Sequence, residues 1–226
     1  MQVSVRWHFW GLIAKRHPSA FLLAAQLLSL IIYPFIDDST NGRLLFGAVA
    51  LVVVPLAVWV VRRSPSANFI AWLLAVPAIV MTIAGALLGY RTLLPFSALL
   101  ESTLYFYAAG SLISYMLRDH KVTADELFAA GATFTLLAWG FAYAYFVCQA
   151  WVPGSFTAAA NSDQPRSWME LLFLSFTTLS ATGLGDVVPI SAPARALAML
   201  EMFAGVMYIA LVVSRLIGLS TAREPR

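Results

Sequence analysis

Two glycines at alternate positions follow a short apolar segment in the C-terminal part of the chain. Residues 181–186 read Ala-Thr-Gly-Leu-Gly-Asp. Glycine adopts backbone angles that other residues avoid, so alternate glycines allow successive carbonyl oxygens to point the same way. A row of such oxygens around a narrow axis can replace the water shell of a cation. The pattern therefore predicts chemistry of binding rather than of bond making, carried by backbone atoms.

The segment before these glycines predicts a short helix that ends inside a membrane. Ser167 and Glu170 have the spacing of a capping box, which starts the helix. The apolar run to Leu179 has roughly 13 residues, whereas a span needs about 20. Free carbonyls are costly in lipid, so the loop after it must line a protected axis. The negative end of the helix, near Thr178–Ser180, would favour a cation there.

Composition assigns the whole chain to the membrane. It has 226 residues, of which 61% are hydrophobic and 11% charged, and its mean hydropathy is +0.81. These values are typical of a polytopic membrane protein. The net charge of +3 comes with no basic cluster beyond Arg62 and Arg63, so no nucleic-acid partner is expected.

Cysteine and histidine usage disfavours a metal site or an enzyme. Cys148 is the single cysteine, which excludes an internal disulfide and a cysteine-rich metal site. His8, His17 and His120 are scattered and do not pair at ligand spacing. No nucleophile–base set is evident. We expect neither catalysis nor a cofactor.

The apolar runs predict an all-α membrane protein with six transmembrane helices and one re-entrant pore helix and loop. The runs lie at residues 20–36, 44–61, 69–90, 93–117, 125–151 and 195–219. Each is near or above the length of a span. Thr123 and Glu126 have the spacing of a capping box at the start of the fifth span. An even number of spans places both termini on the same side of the membrane.

Basic residues predict the orientation. With the N-terminus inside, ten of the 14 lysines and arginines are cytoplasmic, and only Arg43, Arg91, Arg166 and Arg195 lie outside. This distribution follows the positive-inside rule and places the glycine loop at the outer side. The predicted location is the cell (inner or plasma) membrane, multi-pass, with both termini cytoplasmic.

The fourth span, at 93–117, contains no basic residue. A voltage sensor needs charges that move through the field, at about 2.3 kcal/mol per charge per 100 mV. The first four helices are therefore not expected to sense voltage. Glu101 lies inside this span, and two interpretations are open: a proton- or ligand-sensitive hinge, or a hydrogen bond to a neighbouring Tyr or Ser that joins helices.

Residues 177–189 read Thr-Thr-Leu-Ser-Ala-Thr-Gly-Leu-Gly-Asp-Val-Val-Pro. This segment resembles the pore signature of the tetrameric potassium-channel superfamily, which is Thr-Leu-Thr-Thr-Val-Gly-Tyr-Gly-Asp with a following Pro. The resemblance covers about residues 125–219 and continues through Arg195, Glu201 and Gly205. It implies a homotetramer that conducts potassium without other cofactors. The ion would be bound only by backbone carbonyls, those of Ala181, Thr182, Gly183, Leu184 and Gly185, with Asp186 at the outer mouth.

The departures from that signature concern selectivity. Ala181 replaces a Thr whose hydroxyl completes the inner ion site, and Leu184 replaces a Tyr whose phenol braces the filter. Thr177 takes a place that some members give to a Glu partnering the filter Asp, so Asp186 would be braced differently, by Thr177 or Trp168. A weakly selective monovalent cation channel is the alternative to a potassium channel. A secondary transporter with one broken helix is a further alternative.

The last span contains the candidates for gating. Gly205 lies where the family commonly places its hinge glycine. Every fourth residue of this stretch is apolar, at Ile209, Val213 and Ile217, so these side chains share one face. They either form an apolar constriction in the pore or pack on the span at 125–151, which would be the outer helix of the pore domain. Glu201 either lies behind the filter or faces the pore. Arg215 either faces the axis or reaches the headgroups.

Four segments are expected along the chain. They are an interfacial N-terminal segment at 1–19, a four-helix membrane domain at 20–120, a pore domain at 121–219 and a cytoplasmic tail at 220–226. The short tail contains no ligand-binding domain, so gating would be intrinsic to the membrane part, depend on a separate regulatory subunit, or be absent as in a leak channel.

Overall fold

The computed structural model describes residues 18–32, 55–59, 68–88, 91–118 and 123–221. These residues are helical except for two short strands and their connections. The helices before the predicted pore region are α1 (Pro18–Ile32), α2 (Asn68–Leu88) and α3 (Leu94–Met116). A short 3₁₀ turn at Arg91–Leu93 precedes α3, and Pro95 in its first turn suits a helix start.

The remaining elements form the region with the resemblance. They are α4 (Ala124–Trp151), β1 (Phe156–Ala158), α5 (Trp168–Leu179), β2 (Val187–Pro189), α6 (Ala192–Tyr208), a π-helical turn (Ile209–Val213) and α7 (Ser214–Thr221). Thr123 caps α4 and Ser167 caps α5, each in a capping box with the Glu three residues later. Both caps were predicted from the sequence and are confirmed.

Two described helical segments combine the length and apolar composition of a membrane span, Ala124–Trp151 and Ala192–Val213. Shorter apolar helices lie at Pro18–Ile32, Phe69–Gly85 and Trp168–Leu179. Most of the predicted span 44–61 lies outside the described residues, where only 55–59 are described as helical. The number of six spans stays a prediction.

Helix α4 is the central helix of the chain, because α1, α3, α5 and α6 all pack against it. Ser102 of α3 donates a hydrogen bond to the Gly140 carbonyl of α4, at 2.8 Å. A Cβ on Gly140 would lie 3.0 Å from the Phe106 ring, so the small residue allows this close approach. The helix before the pore region thus packs along α4 of its own chain.

A two-stranded antiparallel sheet ties the loop after α4 to the segment after the glycines. Phe156 of β1 pairs with Pro189 of β2, and Ala158 pairs with Val187. Ser155, just before β1, accepts the backbone N–H of Ile190 at its carbonyl, at 2.9 Å. This sheet was not predicted, because three-residue strands carry too little periodicity to be recognised in a sequence.

Candidate ion-binding filter

The C-terminal end of helix α5 is hydrogen-bonded to the loop that follows it. Its 12 residues extend about 18 Å, less than the roughly 30 Å of a bilayer core. The Thr177 carbonyl near its C-terminus accepts the N–H groups of Thr182 and Gly183, both at 3.1 Å. The Thr182 hydroxyl donates to the same oxygen at 3.2 Å. These bonds turn the loop's donors toward α5.

The backbone of the loop alternates between left-handed and ordinary angles. Ala181 has φ +58° and Gly183 has φ +64°. The sequence suggested Gly183 and Gly185 as the special positions, but Gly185 does not have a positive φ and Ala181 does. A residue with a Cβ at such angles costs about 1–2 kcal/mol. Ala181 is held there against that cost by its surroundings, among them its N–H bond to the Thr178 carbonyl.

Residues 181–186 are exposed in the single chain. Leu184 is 76% exposed, whereas Val187, immediately after the loop, is 2% exposed and packs in the core. An apolar residue exposed to this extent is typical of an interaction site. The protomer therefore presents these six residues outward instead of enclosing them.

Asp186 is exposed and forms no hydrogen bond or ion pair with the residues that the structure describes. The expected partners are engaged elsewhere. The Thr177 hydroxyl donates to the Leu174 carbonyl at 2.9 Å, and the Trp168 ring packs at 5.3 Å from that of Trp139. Bracing of Asp186 by either residue is not observed within the protomer.

Glu201 lies behind this loop, as one of its two interpretations predicted, and does not face a pore. It is fully buried between α4, α5 and α6. The Tyr145 hydroxyl donates to one carboxyl oxygen, and the Ser175 hydroxyl contacts the other. The pore-wall alternative is wrong for this residue.

The predicted gating residues of the last span lie in different environments. Gly205 lies within α6, close to the end of α5. Ile209 and Ile217 are 45% and 58% exposed, whereas Val213 packs against the core around α4. Within the protomer, the two isoleucines are thus exposed whereas Val213 is packed against other residues of the same chain. The π-helical turn at Ile209–Val213 alters the helical register across this stretch.

Arg215 is hydrogen-bonded to a neighbouring helix of its own chain. Its guanidinium donates to the carbonyl of Leu117 at 3.0 Å. Leu117 is the C-cap of α3. A cation at the C-terminal end of a helix is favoured by the helix dipole. This bond connects the end of the pore region to the helix before it.

Glu101 lies apart from the filter, in a polar contact among three helices. It is 4% exposed. Thr82 of α2 donates to it at 2.9 Å, and Thr82 also lies 2.9 Å from the Ser97 hydroxyl. Tyr143 of α4 is a further hydrogen-bond partner. These contacts favour the interpretation in which Glu101 joins helices.

Arg166 is a structural residue that the sequence analysis did not single out. It is 4% exposed. Its guanidinium donates to the carbonyls of Ala160 and Gln164, at 3.2 Å and 3.0 Å, and forms an ion pair with Glu170 at 3.3 Å. Its backbone N–H donates to the Gln149 side chain at 2.7 Å, and that side chain donates back to the Arg166 carbonyl. Arg166 thereby ties the outer loop to both α4 and α5.

Comparison with known proteins finds a family whose sequence model matches the C-terminal part of the chain. Residues 131–221 match the sequence model of a protein family described as "Ion channel". The matched segment includes most of α4 and everything described after it. The match supports a pore domain of the potassium-channel type at these residues. No curated protein and no solved structure gives a significant match to the chain.

Proposed function

We propose that the chain forms a homotetrameric potassium channel in a cell membrane. The observation that carries this proposal is the exposed loop 181–186, whose N–H groups at Thr182 and Gly183 are bound to α5 while none of its carbonyls accepts a hydrogen bond from the residues that the structure describes. One strand cannot surround an ion, but four copies around an axis form a closed cage of oxygens.

The exposed face of α6 supports assembly into an oligomer. Met199, Phe203 and Val206 are 63%, 67% and 54% exposed, and their spacing places them on one side of this helix. Lipid covers part of such a surface in a membrane, and neighbouring subunits cover the rest in a tetramer. The expected partners are three further copies of the chain and the lipid bilayer. We assign no surface of the chain to a regulatory subunit.

The ion-binding groups in this proposal are backbone carbonyls of Ala181, Thr182, Gly183, Leu184 and Gly185, with Asp186 at the outer mouth. Potassium is the proposed ion because the match is to a potassium-type pore domain. Weak selectivity among monovalent cations is the alternative, favoured by the missing hydroxyl at Ala181 and the missing phenol at Leu184. A secondary transporter with one broken helix is the alternative from a different class of membrane protein.

Gating is proposed to lie in the pore domain, 121–219, with no voltage sensing by the four-helix domain, 20–120. The proposed gating residues lie in the last span and are Gly205, Ile209, Val213 and Ile217. The π-helical turn offers a second place for the inner helix to bend, since π turns commonly accompany helix kinks. Segments 1–19 and 220–226 are proposed to be cytoplasmic.

Recording from purified protein in a planar bilayer tests the proposal. We expect stepwise currents whose reversal potential follows the potassium gradient when sodium is on the other side, and a tetramer by native mass spectrometry. A reversal potential near zero supports the weakly selective alternative. Slow stoichiometric uptake without current steps contradicts the channel and favours a transporter.

A matched pair of glycine variants connects the current to the loop. Gly183 and Gly154 both have positive φ, +64° and +75°, and a Cβ added to either residue would meet no atom within 4 Å. Gly183→Ala is expected to abolish selective conduction, whereas Gly154→Ala, in the turn after α4, is expected to preserve it. Equal effects of the two substitutions contradict the assignment of the filter.

A further inference from the structure

Three elements of the pore domain meet at the carboxyl group of Glu201. Glu201 belongs to α6, Tyr145 to α4 and Ser175 to α5, and all three residues are fully buried. The Tyr145 hydroxyl donates to Oε2, and Ser175 Oγ contacts Oε1. Thr178 of α5 hydrogen-bonds Tyr145 in turn. The site thus joins α4, α5 and α6, which are the outer helix, the pore helix and the inner helix of the pore domain.

The hydrogen-bond partners of Ser175 decide where the protons are. Ser175 Oγ lies 2.7 Å from the Ala138 carbonyl oxygen as well as against Glu201. A hydroxyl has one proton, and a carbonyl can only accept. If the proton of Ser175 goes to Ala138, the contact with Glu201 requires a proton on the carboxyl group. A carboxylic acid completes every hydrogen bond in the cluster, and a carboxylate leaves one contact without a proton.

Among the residues that the structure describes, no basic side chain forms an ion pair with Glu201. The ion pair between Arg166 and Glu170 lies outside this cluster, in the outer loop and the first turn of α5. The titratable neighbours of Glu201 are Tyr145 and, beyond it, Cys148. Burying an unpaired charge costs far more than burying a hydrogen-bonded neutral group. Proton counting and charge therefore agree.

The cluster lies directly behind the groups that hold the filter. Ser175 and Thr178 flank Thr177 in the last turns of α5, and the Thr177 carbonyl binds the N–H groups of Thr182 and Gly183. A contact that fixes these turns also fixes the position from which the filter backbone is held. The partners Tyr145 and Ser175 lie on α4 and α5, so the contact ties α6 to both of these helices.

We propose that Glu201 is a neutral carboxylic acid that positions the pore helix, and through it the filter. This inference rests on the proposed function for its effect on selectivity. Glu201 is a positioning residue: it contacts no ion, and its two carboxyl oxygens act as one acceptor for Tyr145 and one donor to Ser175.

Two substitutions of similar size separate this role from that of a buried charge. Glu201→Gln keeps a carbonyl for Tyr145 and an N–H donor for Ser175, so the potassium-to-sodium permeability ratio is expected to stay at the wild-type value. Glu201→Leu removes both bonds, and the ratio is expected to fall roughly tenfold. If Glu201→Gln lowers the ratio as much as Glu201→Leu, the proposal is overturned.

An independent readout uses infrared spectroscopy of the purified tetramer. The carbonyl stretch of a neutral carboxylic acid is expected at neutral pH in the wild type, and Glu201→Gln is expected to remove it. Absence of that band overturns the proposal whatever the channel conducts. If the band is present but the wild type passes sodium and potassium equally, the proposed potassium selectivity fails while the protonation of Glu201 stands.

Should Glu201→Leu fail to assemble, smaller changes retain the test. Tyr145→Phe removes only the hydroxyl that donates to Glu201, and Ser175→Ala removes only the hydroxyl between Glu201 and Ala138. Each is expected to lower the permeability ratio in a tetramer that still forms. An unchanged ratio in both variants would show that the cluster does not position the filter.

Discussion

Gly205 of the inner helix packs directly on the carbonyl of Leu179, the last residue of the pore helix. A Cβ at Gly205 would collide with the Leu179 oxygen and lie 2.8 Å from its carbonyl carbon. Backbone atoms cannot rotate away as a side chain can. The sequence suggested a hinge at Gly205; the structure gives a second reason for glycine, namely that the two helices touch there through their backbones.

Gly205→Ala is therefore expected to weaken the pore domain before it affects bending. Forcing a methyl group into this contact costs about 1–3 kcal/mol or more. We expect a lower midpoint of thermal unfolding and less tetramer, measured by fluorescence-monitored melting and native mass spectrometry. Gly110→Ala in α3 is the control, because its Cβ meets no atom within 4 Å. Normal stability of Gly205→Ala with altered gating would favour the hinge alone.

Substitutions at Ala181 separate backbone strain from the missing hydroxyl. Ala181→Gly removes the Cβ from a residue at φ +58°, so we expect preserved assembly and selectivity. Ala181→Ser adds a hydroxyl without branching, and Ala181→Thr adds it with a β-branch that a positive φ disfavours. We expect both hydroxyl variants to change barium block, with Ala181→Thr less stable. The measurements are block and melting temperature.

No change in barium block for either hydroxyl variant would mean that the inner ion site does not use this side chain. A loss of selectivity in Ala181→Gly would mean that the methyl group itself supports the filter.

The sequence predicted the features that local chemistry determines. The two capping boxes, at Thr123 and Ser167, follow from residue types three positions apart, and the structure has both. The short helix before the glycines was predicted by its length. The sequence left two positions open for Glu201. Its partners Tyr145 and Ser175 lie 56 and 26 residues away in sequence, and no local pattern relates them to it.

Features that depend on tertiary contacts were missed. Ala181 adopts a left-handed angle because α5 binds the loop after it, which no propensity of alanine indicates. The strands β1 and β2 exist only through each other. Arg166 is recognisable as buried only once the outer loop has wrapped around it, since an arginine in a polar stretch ordinarily predicts a solvated side chain.

Arg166→Met is expected to disorder the outer loop. The substitution keeps the apolar stem but removes the planar donor group from the carbonyls of Ala160 and Gln164, and charged hydrogen bonds contribute about 1.5–3 kcal/mol. We expect lower thermal stability and faster amide exchange at β1. Arg195→Met is the control, since the exposed Arg195 side chain makes a single hydrogen bond to the described part of the chain, to the Pro189 carbonyl at 3.3 Å. Equal effects would contradict the role given to Arg166.

Thr82→Val tests whether Glu101 joins helices or senses a signal. Valine keeps the shape of threonine but loses the hydroxyl that bonds Glu101 and Ser97, which should cost about 0.5–1.5 kcal/mol. The control is Thr103→Val, whose hydroxyl bonds only within α3, to the Leu99 carbonyl.

We expect Thr82→Val, and not its control, to lower the melting temperature. The open probability is expected to stay unchanged between about pH 5 and pH 8, the range in which physiological pH switches act. Adding Thr82→Val to Glu101→Leu should then cost little more than Glu101→Leu alone, because the two residues share one bond. A shift in open probability with pH that Glu101→Gln removes would instead identify Glu101 as a sensor, since only its titration distinguishes the two side chains.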